Sequence, residues 1–219
     1  MSDGFDAVVV GSGPNGLAAA VTLAAGGVRV LVIEGAGTAG GGCRTEEVTL
    51  PGYHHDICAT AHPLALASSF FRRFDLGSRG VRLVHPEVVF AHPLDGGRAA
   101  IATRSVAETA AGLGVDRLAY RRLLGPLVRQ AEPIADWILS AERRPPGNPL
   151  ALAGYGLKGM RSARAVASRL RSPEARGLFA GVSAHAMRPL TSAPTAGVGL
   201  LLTVLGHSVG WPFVKGGSA

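Results

Sequence analysis

The sequence predicts an α/β fold nucleated by a βαβ unit near its start. Three observations carry that reading: a Val-rich run meets a glycine turn, a stretch of Ala and Leu follows, and a second apolar run closes on an acidic residue. Phe5-Asp6-Ala7-Val8-Val9-Val10 reads as a short buried strand, because β-branched runs of this length beside glycine suit the interior of a parallel sheet. Gly11-Ser12-Gly13-Pro14-Asn15-Gly16 then has the spacing G-x-G-x-x-G. In such a turn the first glycine makes the bend, the second lets a pyrophosphate reach the backbone, and the third lets the helix pack on the strand. Leu17 to Ala25 supplies the helix, Gly26-Gly27 stops it, and Val28 to Ile33 is the second strand. Glu34 ends that strand, about twenty residues beyond the turn, where a carboxylate accepts both ribose hydroxyls of an adenosine. The free N–H groups at the helix start face the phosphates, so Gly11, Ser12, Gly13, Pro14, Asn15, Gly16 and Glu34 form a candidate dinucleotide site.

The spacing alone is a weak signal, since Gly35 to Gly40 and Gly154 to Gly159 share it. Context separates the three. The Gly35 stretch runs into Gly41-Gly42-Cys43 with no helix-forming segment behind it and reads as a loop, while the Gly154 stretch has no strand before it.

Composition narrows the classes. With 219 residues, 47% hydrophobic content and a mean hydropathy of +0.26, the chain buries a substantial core and is not disordered. Aromatics are only 5% against 31 glycines, which suits glycine loops and close backbone packing better than a base-stacking platform. The net charge of +7 comes from Lys and Arg spread along the chain, a solvated basic surface, so no nucleic-acid partner is expected. Cys43 and Cys58 match neither zinc spacing nor a C-x-x-C pair, and the expectation is free thiols in a cytoplasmic setting. The start of the chain is polar and acidic, without the positive region of a secretory signal. Ala193 to Val209 is long and apolar, but Gly197, Gly199, Gly206 and His207 interrupt it, and it reads as a buried helix.

After Glu34 comes a loop of little side chain containing Gly40, Gly41, Arg44 and Thr45. The whole succession resembles the FAD-binding N-terminus of the amine-oxidase-like flavoproteins, and within them most the phytoene-desaturase-like (carotenoid and retinoid) oxidoreductases. The resemblance implies FAD as cofactor, with Gly40, Gly41, Arg44 and Thr45 joining the glycine turn around it. In that family the arginine follows the glycine pair directly, whereas Gly42 and Cys43 intervene here. Leu50 to Pro63 resembles the segment passing over the flavin ring, which implies Thr60, Ala61 and His62 as flavin-proximal. His54, His55, Asp56 and His62 invite a metal reading, but no i, i+4 pair on a helix is visible and no metal site is expected. The implied chemistry is hydride transfer from an apolar small-molecule substrate to flavin. It needs no side-chain base, so no catalytic residue is assigned.

Residues 1–80 read as the FAD-binding βαβ unit with its flavin-proximal loop, and 81–219 as a mostly helical, partial substrate domain. Leu64 to Leu76 reads as one amphipathic helix carrying Phe70, Phe71 and Phe74. Val81 to Val84, Glu87 to Ala91 and Ala99 to Thr103 are strand-like, with Asp95-Gly96-Gly97 as a turn. Ser105 with Glu108 makes a capping box. Asp116 is placed as the cap of a long helix bearing Leu118, Leu124, Leu127, Ala131, Ile134 and Ile138, kinked at Pro126 and Pro133. Glu142 to Pro149 reads as a linker, and Ser172-Pro173 as another helix start. Arg161, Arg164, Ser168 and Arg171 fall on one helical face, which reads first as a solvated surface, with peripheral membrane contact as the alternative.

Gly216-Gly217-Ser218 announces a helix with Ser218 as its cap, and the family's chains are much longer. The expectation is therefore an N-terminal half whose remainder is a separate chain or missing, and which is not a competent oxidoreductase alone. Two alternatives stay open: a truncated, non-catalytic dinucleotide-binding fragment, and an NAD(P)-dependent dehydrogenase. A disulfide reductase is disfavoured, since Cys43 has only Val48 where a partner thiol would stand.

Overall fold

Of the Val-rich run, Ala7–Val10 forms strand β1, and Val30–Ile33 forms β2 parallel to it, in register from Ala7 opposite Val30 to Val10 opposite Ile33. Between them α1 spans Pro14–Ala25. It begins three residues earlier than the sequence suggests. Proline at the first helical position has its φ preset and no N–H to leave unpaired, so the second half of the glycine turn is already helix. Alternate β1 residues, Val8 and Val10, are exposed, the latter at 83%, against the expectation of a strand buried on both faces. A two-stranded parallel sheet with one helix beside it has too few layers to cover them.

The computed structural model describes residues 4–140 and 145–219. Its contacts divide the chain into two units, one taking in residues up to 62, 76–84 and 213–219, the other 63–75 and 85–212. In the first unit, β3 (Thr45–Glu46) and β4 (His55–Asp56) pair antiparallel. Two further backbone bonds continue the pairing, from Ile57 N to Arg44 O and from Ala59 N to Gly42 O, each 2.9 Å. Leu83–Val84 pairs antiparallel with Phe213–Val214, which also bridges Ala61. Residues far apart in the chain thus share one unit.

The second unit opens with α2 (Pro63–Ala67) and α3 (Ser69–Phe74) where one helix was expected. Ser68 breaks it by turning extended, its hydroxyl accepting from Phe70 N to cap α3. Phe70 still stacks on Phe74 with ring centroids 5.4 Å apart. After Leu83–Val84, which is β5, the hairpin β6 (Val88–Leu94) and β7 (Arg98–Thr103) turns at Asp95-Gly96-Gly97 as expected. Ser105 caps α4 (Val106–Ala111) through Glu108 N, but the Glu108 carboxylate accepts from the Thr103 hydroxyl, so only half of the capping box forms.

The expected long helix is two, α5 (Arg117–Val128) and α6 (Ala131–Leu139), and Leu118 is 58% exposed. Asp116 does not cap α5. Its buried carboxylate accepts instead from Arg171 N, Ser172 N and the Ser172 hydroxyl at 2.8, 2.6 and 2.8 Å. Glu142, Arg143 and Arg144 of the expected linker lie outside the described residues. Helices α7 (Pro149–Gly159), α8 (Ala163–Ala167), α9 (Pro173–Ser183) and α10 (Thr195–Ser208) follow. Because Ser162 caps a five-residue α8, Arg161 lies before that helix and Arg171 after it, so the four residues expected on one helical face do not share one.

Helix α10 is the buried axis of this unit. Ala196, Leu200 and Val204 are sealed among Leu124, Ile134, Leu178 and Phe179. The glycines that interrupt its apolar run are points of close approach: a Cβ on Gly199 would stand 2.0 Å from the Ser183 hydroxyl of α9.

One polar pair is buried within this core. The Tyr120 hydroxyl donates to His207 Nε2 at 2.7 Å, so Nδ1 carries the proton and donates to Arg104 O at 3.2 Å. Tyr120→Phe leaves His207 Nε2 buried without a donor, and is expected to cost about 1–3 kcal/mol in urea unfolding. Burial holds the His207 pKa below the usual imidazole range, outweighing the Arg104 and Thr103 backbone contacts. The unfolded chain therefore takes up this proton first, so the contribution is intact above about pH 6.5 and is lost as pH falls below it.

Candidate dinucleotide site

The turn between β1 and α1 is built by its glycines for different reasons. Gly11 has φ +93°, a left-handed conformation that side chains rarely adopt, and its N–H donates to Ile33 O at 2.7 Å to extend the strand pair. A Cβ on Gly16 would meet Gly11 O at 2.0 Å, so the helix can lie against the turn only if this residue has none. Gly13 is different. Its φ of −68° and ψ of 172° are open to any residue, and a Cβ there would meet protein no nearer than Gly41 Cα at 3.9 Å. Nothing in the protein demands glycine at 13, which leaves room at the backbone for a ligand. Pro14 and exposed Asn15 begin α1, whose N-terminus has no side-chain cap.

Glu34 folds back onto this turn. Its Oε2 accepts from Ser12 N at 2.8 Å and from the Ser12 hydroxyl at 2.6 Å, and its Oε1 accepts from Ala36 N at 2.9 Å. Chiefly the Ser12 hydroxyl, then the backbone N–H groups, hold its pKa down to about 2. The carboxylate is thus a fixed anion and pure acceptor at neutral pH. Gly40 N donates to Ser12 O at 3.0 Å, and a Cβ on Gly41 would stand 2.9 Å from Gly13 Cα. The two glycine segments picked out in the sequence therefore lie against each other.

Arg44 reaches back from β3's edge to Gly41 O (Nε, 3.1 Å) and pairs with Glu46 at 3.2 Å. The remaining expected residues form a second cluster. Thr45 donates to Asp56 Oδ1 at 2.7 Å, Ser218 N donates to the same oxygen at 2.8 Å, and Ala219 N donates to the Thr45 hydroxyl. His62 Nε2 meets the Ser218 hydroxyl at 2.8 Å. Burial lowers the His62 pKa, with the Asp56 charge opposing it. Ala61 bridges Phe213, and Thr60 is exposed. The other histidines are engaged separately, His54 with Glu47 at 3.5 Å and His55 with Thr49 at 2.8 Å. Ser218, read from the sequence as a helix cap, bonds instead to Asp56, Ala59 and His62, partners that lie too far along the chain for a local signal to show. The Gly154–Gly159 spacing falls inside α7, where it makes no turn.

A parallel βαβ with a glycine turn and a terminal acid defines a Rossmann-like α/β fold, and comparison with known proteins agrees. Residues 9–85 match the family model described as an NAD(P)-binding Rossmann-like domain. No curated protein matches the sequence. Among solved structures, putrescine oxidase bound to putrescine aligns with a TM-score of 0.59 at 22% identity, covering 97% of this chain and 46% of that one. Cyclohexylamine oxidase from Brevibacterium oxydans IH-35A gives 0.57 at 18%, covering 98% and 47%. The CLA-producing fatty acid isomerase from P. acnes gives 0.52 at 16%, also covering 98% and 47%. The chain thus spans about half the length of the solved structures it matches, and shares their fold. Among the described residues no helix is long and apolar enough to cross a membrane.

Proposed function

We propose that this chain binds FAD and forms the nucleotide-binding part, with some of the substrate domain, of an amine-oxidase-like flavin-dependent oxidoreductase. The observation that carries this reading is Gly13, conformationally free to be any residue, unobstructed by protein, and flanked by Gly41 and the ionised Glu34. The Gly11–Gly16 backbone and the α1 N-terminus hold the diphosphate, and Glu34 accepts the ribose hydroxyls, sharing them with Ser12. Arg44 adds positive charge beside Gly41. FAD, when bound, supplies the hydride acceptor. The protein's part is to orient the cofactor and exclude water, with no side-chain base required. An apolar small-molecule substrate belongs to this reading through the sequence resemblance. The narrower phytoene-desaturase-like assignment rests on the sequence resemblance alone. Activity is proposed for an assembly that includes the length these neighbours have and this chain does not.

The description of the matching family model favours a second reading, an NAD(P)-dependent dehydrogenase. Fluorescence and calorimetric titration with FAD, NAD and NADP separates the two. FAD is expected to bind and NADP to be rejected, because Glu34 repels a 2′-phosphate; tight NADP binding without flavin affinity refutes the proposal. Glu34→Gln is expected to weaken FAD binding about tenfold by replacing a charged acceptor. With its pKa near 2, Glu34 contributes no pH dependence to the affinity around neutrality.

A further inference from the structure

The two cysteines have no role in the site above, yet the pairing of their segments sets them opposite each other. The β3–β4 register aligns Thr45 with Asp56 and Glu46 with His55. In the same register Ile57 N bonds Arg44 O and Ala59 N bonds Gly42 O, so Cys43 and Cys58 face one another between two hydrogen-bonded pairs. Cys43 ends the 3-10 turn Gly41–Cys43 rather than lying in a strand, and the two backbone bonds that bracket it and Cys58 hold the two segments at hydrogen-bonding distance, a separation that a disulfide can span. The Cys58 side chain leans over the turn that carries Cys43. A Cβ on Gly42 would lie 3.7 Å from Cys58 Cβ and 3.8 Å from its Sγ, and since Gly42 has none, no side chain there blocks the approach. Both thiols are free, Cys58 exposed and Cys43 half-buried.

We propose that Cys43 and Cys58 are a modification site, an oxidisable dithiol that a low-molecular-weight disulfide converts to an internal disulfide. The exposed Cys58 thiolate attacks one sulfur of the oxidant, forming a mixed disulfide and releasing one thiolate. Cys43 then loses its proton to solvent and attacks Cys58 Sγ, expelling the second thiolate. Two protein thiols are oxidised, and one disulfide is reduced to two thiols. Burial, then the Asp56 carboxylate and Cys58, hold the Cys43 thiol above its usual range, so it is a poor first nucleophile and attacks only once the mixed disulfide stands beside it. The crosslink closes residues 44–57 into a covalent loop beside the Gly41–Cys43 turn, whatever dinucleotide binds there.

The test treats the reduced chain with oxidised glutathione and follows intact mass and non-reducing peptide maps. The expected product has lost two hydrogens, joins the Cys43 and Cys58 peptides within one chain, and is restored by dithiothreitol. Cys43→Ser should stop at a single glutathione adduct on Cys58, and Cys58→Ser should react about tenfold more slowly at Cys43. Stable glutathione adducts on the unaltered chain without an internal crosslink, or covalent dimers as the sole product, overturn the proposal.

Discussion

Gly13→Val is expected to abolish dinucleotide binding while leaving the unfolding midpoint nearly unchanged. The backbone at 13 already has an extended conformation that valine adopts, and the new Cβ would lie 3.9 Å from the nearest protein atom, an ordinary contact. The branched side chain instead fills the space over the turn that the phosphates need. Gly16→Ala is the contrasting case. Its Cβ would fall 2.0 Å from Gly11 O and 3.1 Å from Gly11 C, both backbone atoms that can yield only by moving α1 off β1. That variant should lose about 3 kcal/mol or more of stability, and any binding with it. Thermal unfolding and FAD titration on both proteins separate the two effects. Full affinity in Gly13→Val would place the site elsewhere.

Asp116→Ala is expected to lower unfolding stability by about 1–3 kcal/mol, because it leaves the part-buried N–H groups of Arg171 and Ser172 without their acceptor. The Ser172 hydroxyl keeps its second bond, to Ala175 N, so α9 retains its cap. Asp116→Asn should cost less, since its carbonyl oxygen can still accept. Burial would raise the Asp116 pKa, but the Ser172 and Arg171 hydrogen bonds and the Arg171 charge outweigh it and hold the carboxyl below the usual range. Its contribution is therefore complete above the unfolded value of about 3.9 and is lost as pH falls through the lower folded value. Urea unfolding of the three proteins at neutral and acid pH checks both magnitude and sign. Equal stability of Asp116→Ala and the parent chain would show that those N–H groups find other partners.

Asp116 also shows where reading the sequence reached its limit. Placed before a run of helical periodicity it looks like a cap, and every local criterion is met. The structure spends its carboxylate on residues more than fifty positions later, because burial beside the start of α9 offers three donors at once. Ser105 and Ser172 do act as the caps expected of them, since a cap bonds to a backbone N–H only three residues on and needs no distant partner. The split between α2 and α3 was not visible for the opposite reason. Phe70, Phe71 and Phe74 keep a helical spacing, and periodicity does not register one extended residue at Ser68.

The order β1, turn, α1, β2 and acid, the β6–β7 hairpin, and the burial of α10 are all legible in the residue pattern. Each follows from spacing within a short window: alternation, helical repeat, or a glycine or proline at a bend. Packing is what brings Glu34 onto Ser12, Gly41 onto Gly13, His62 to Ser218, and the segment of Cys43 beside that of Cys58. Those are pairwise choices among many side chains of suitable chemistry. A polar group or a glycine states in sequence what it can bond or admit, but which partner it gets is fixed by the packing that brings distant segments within reach.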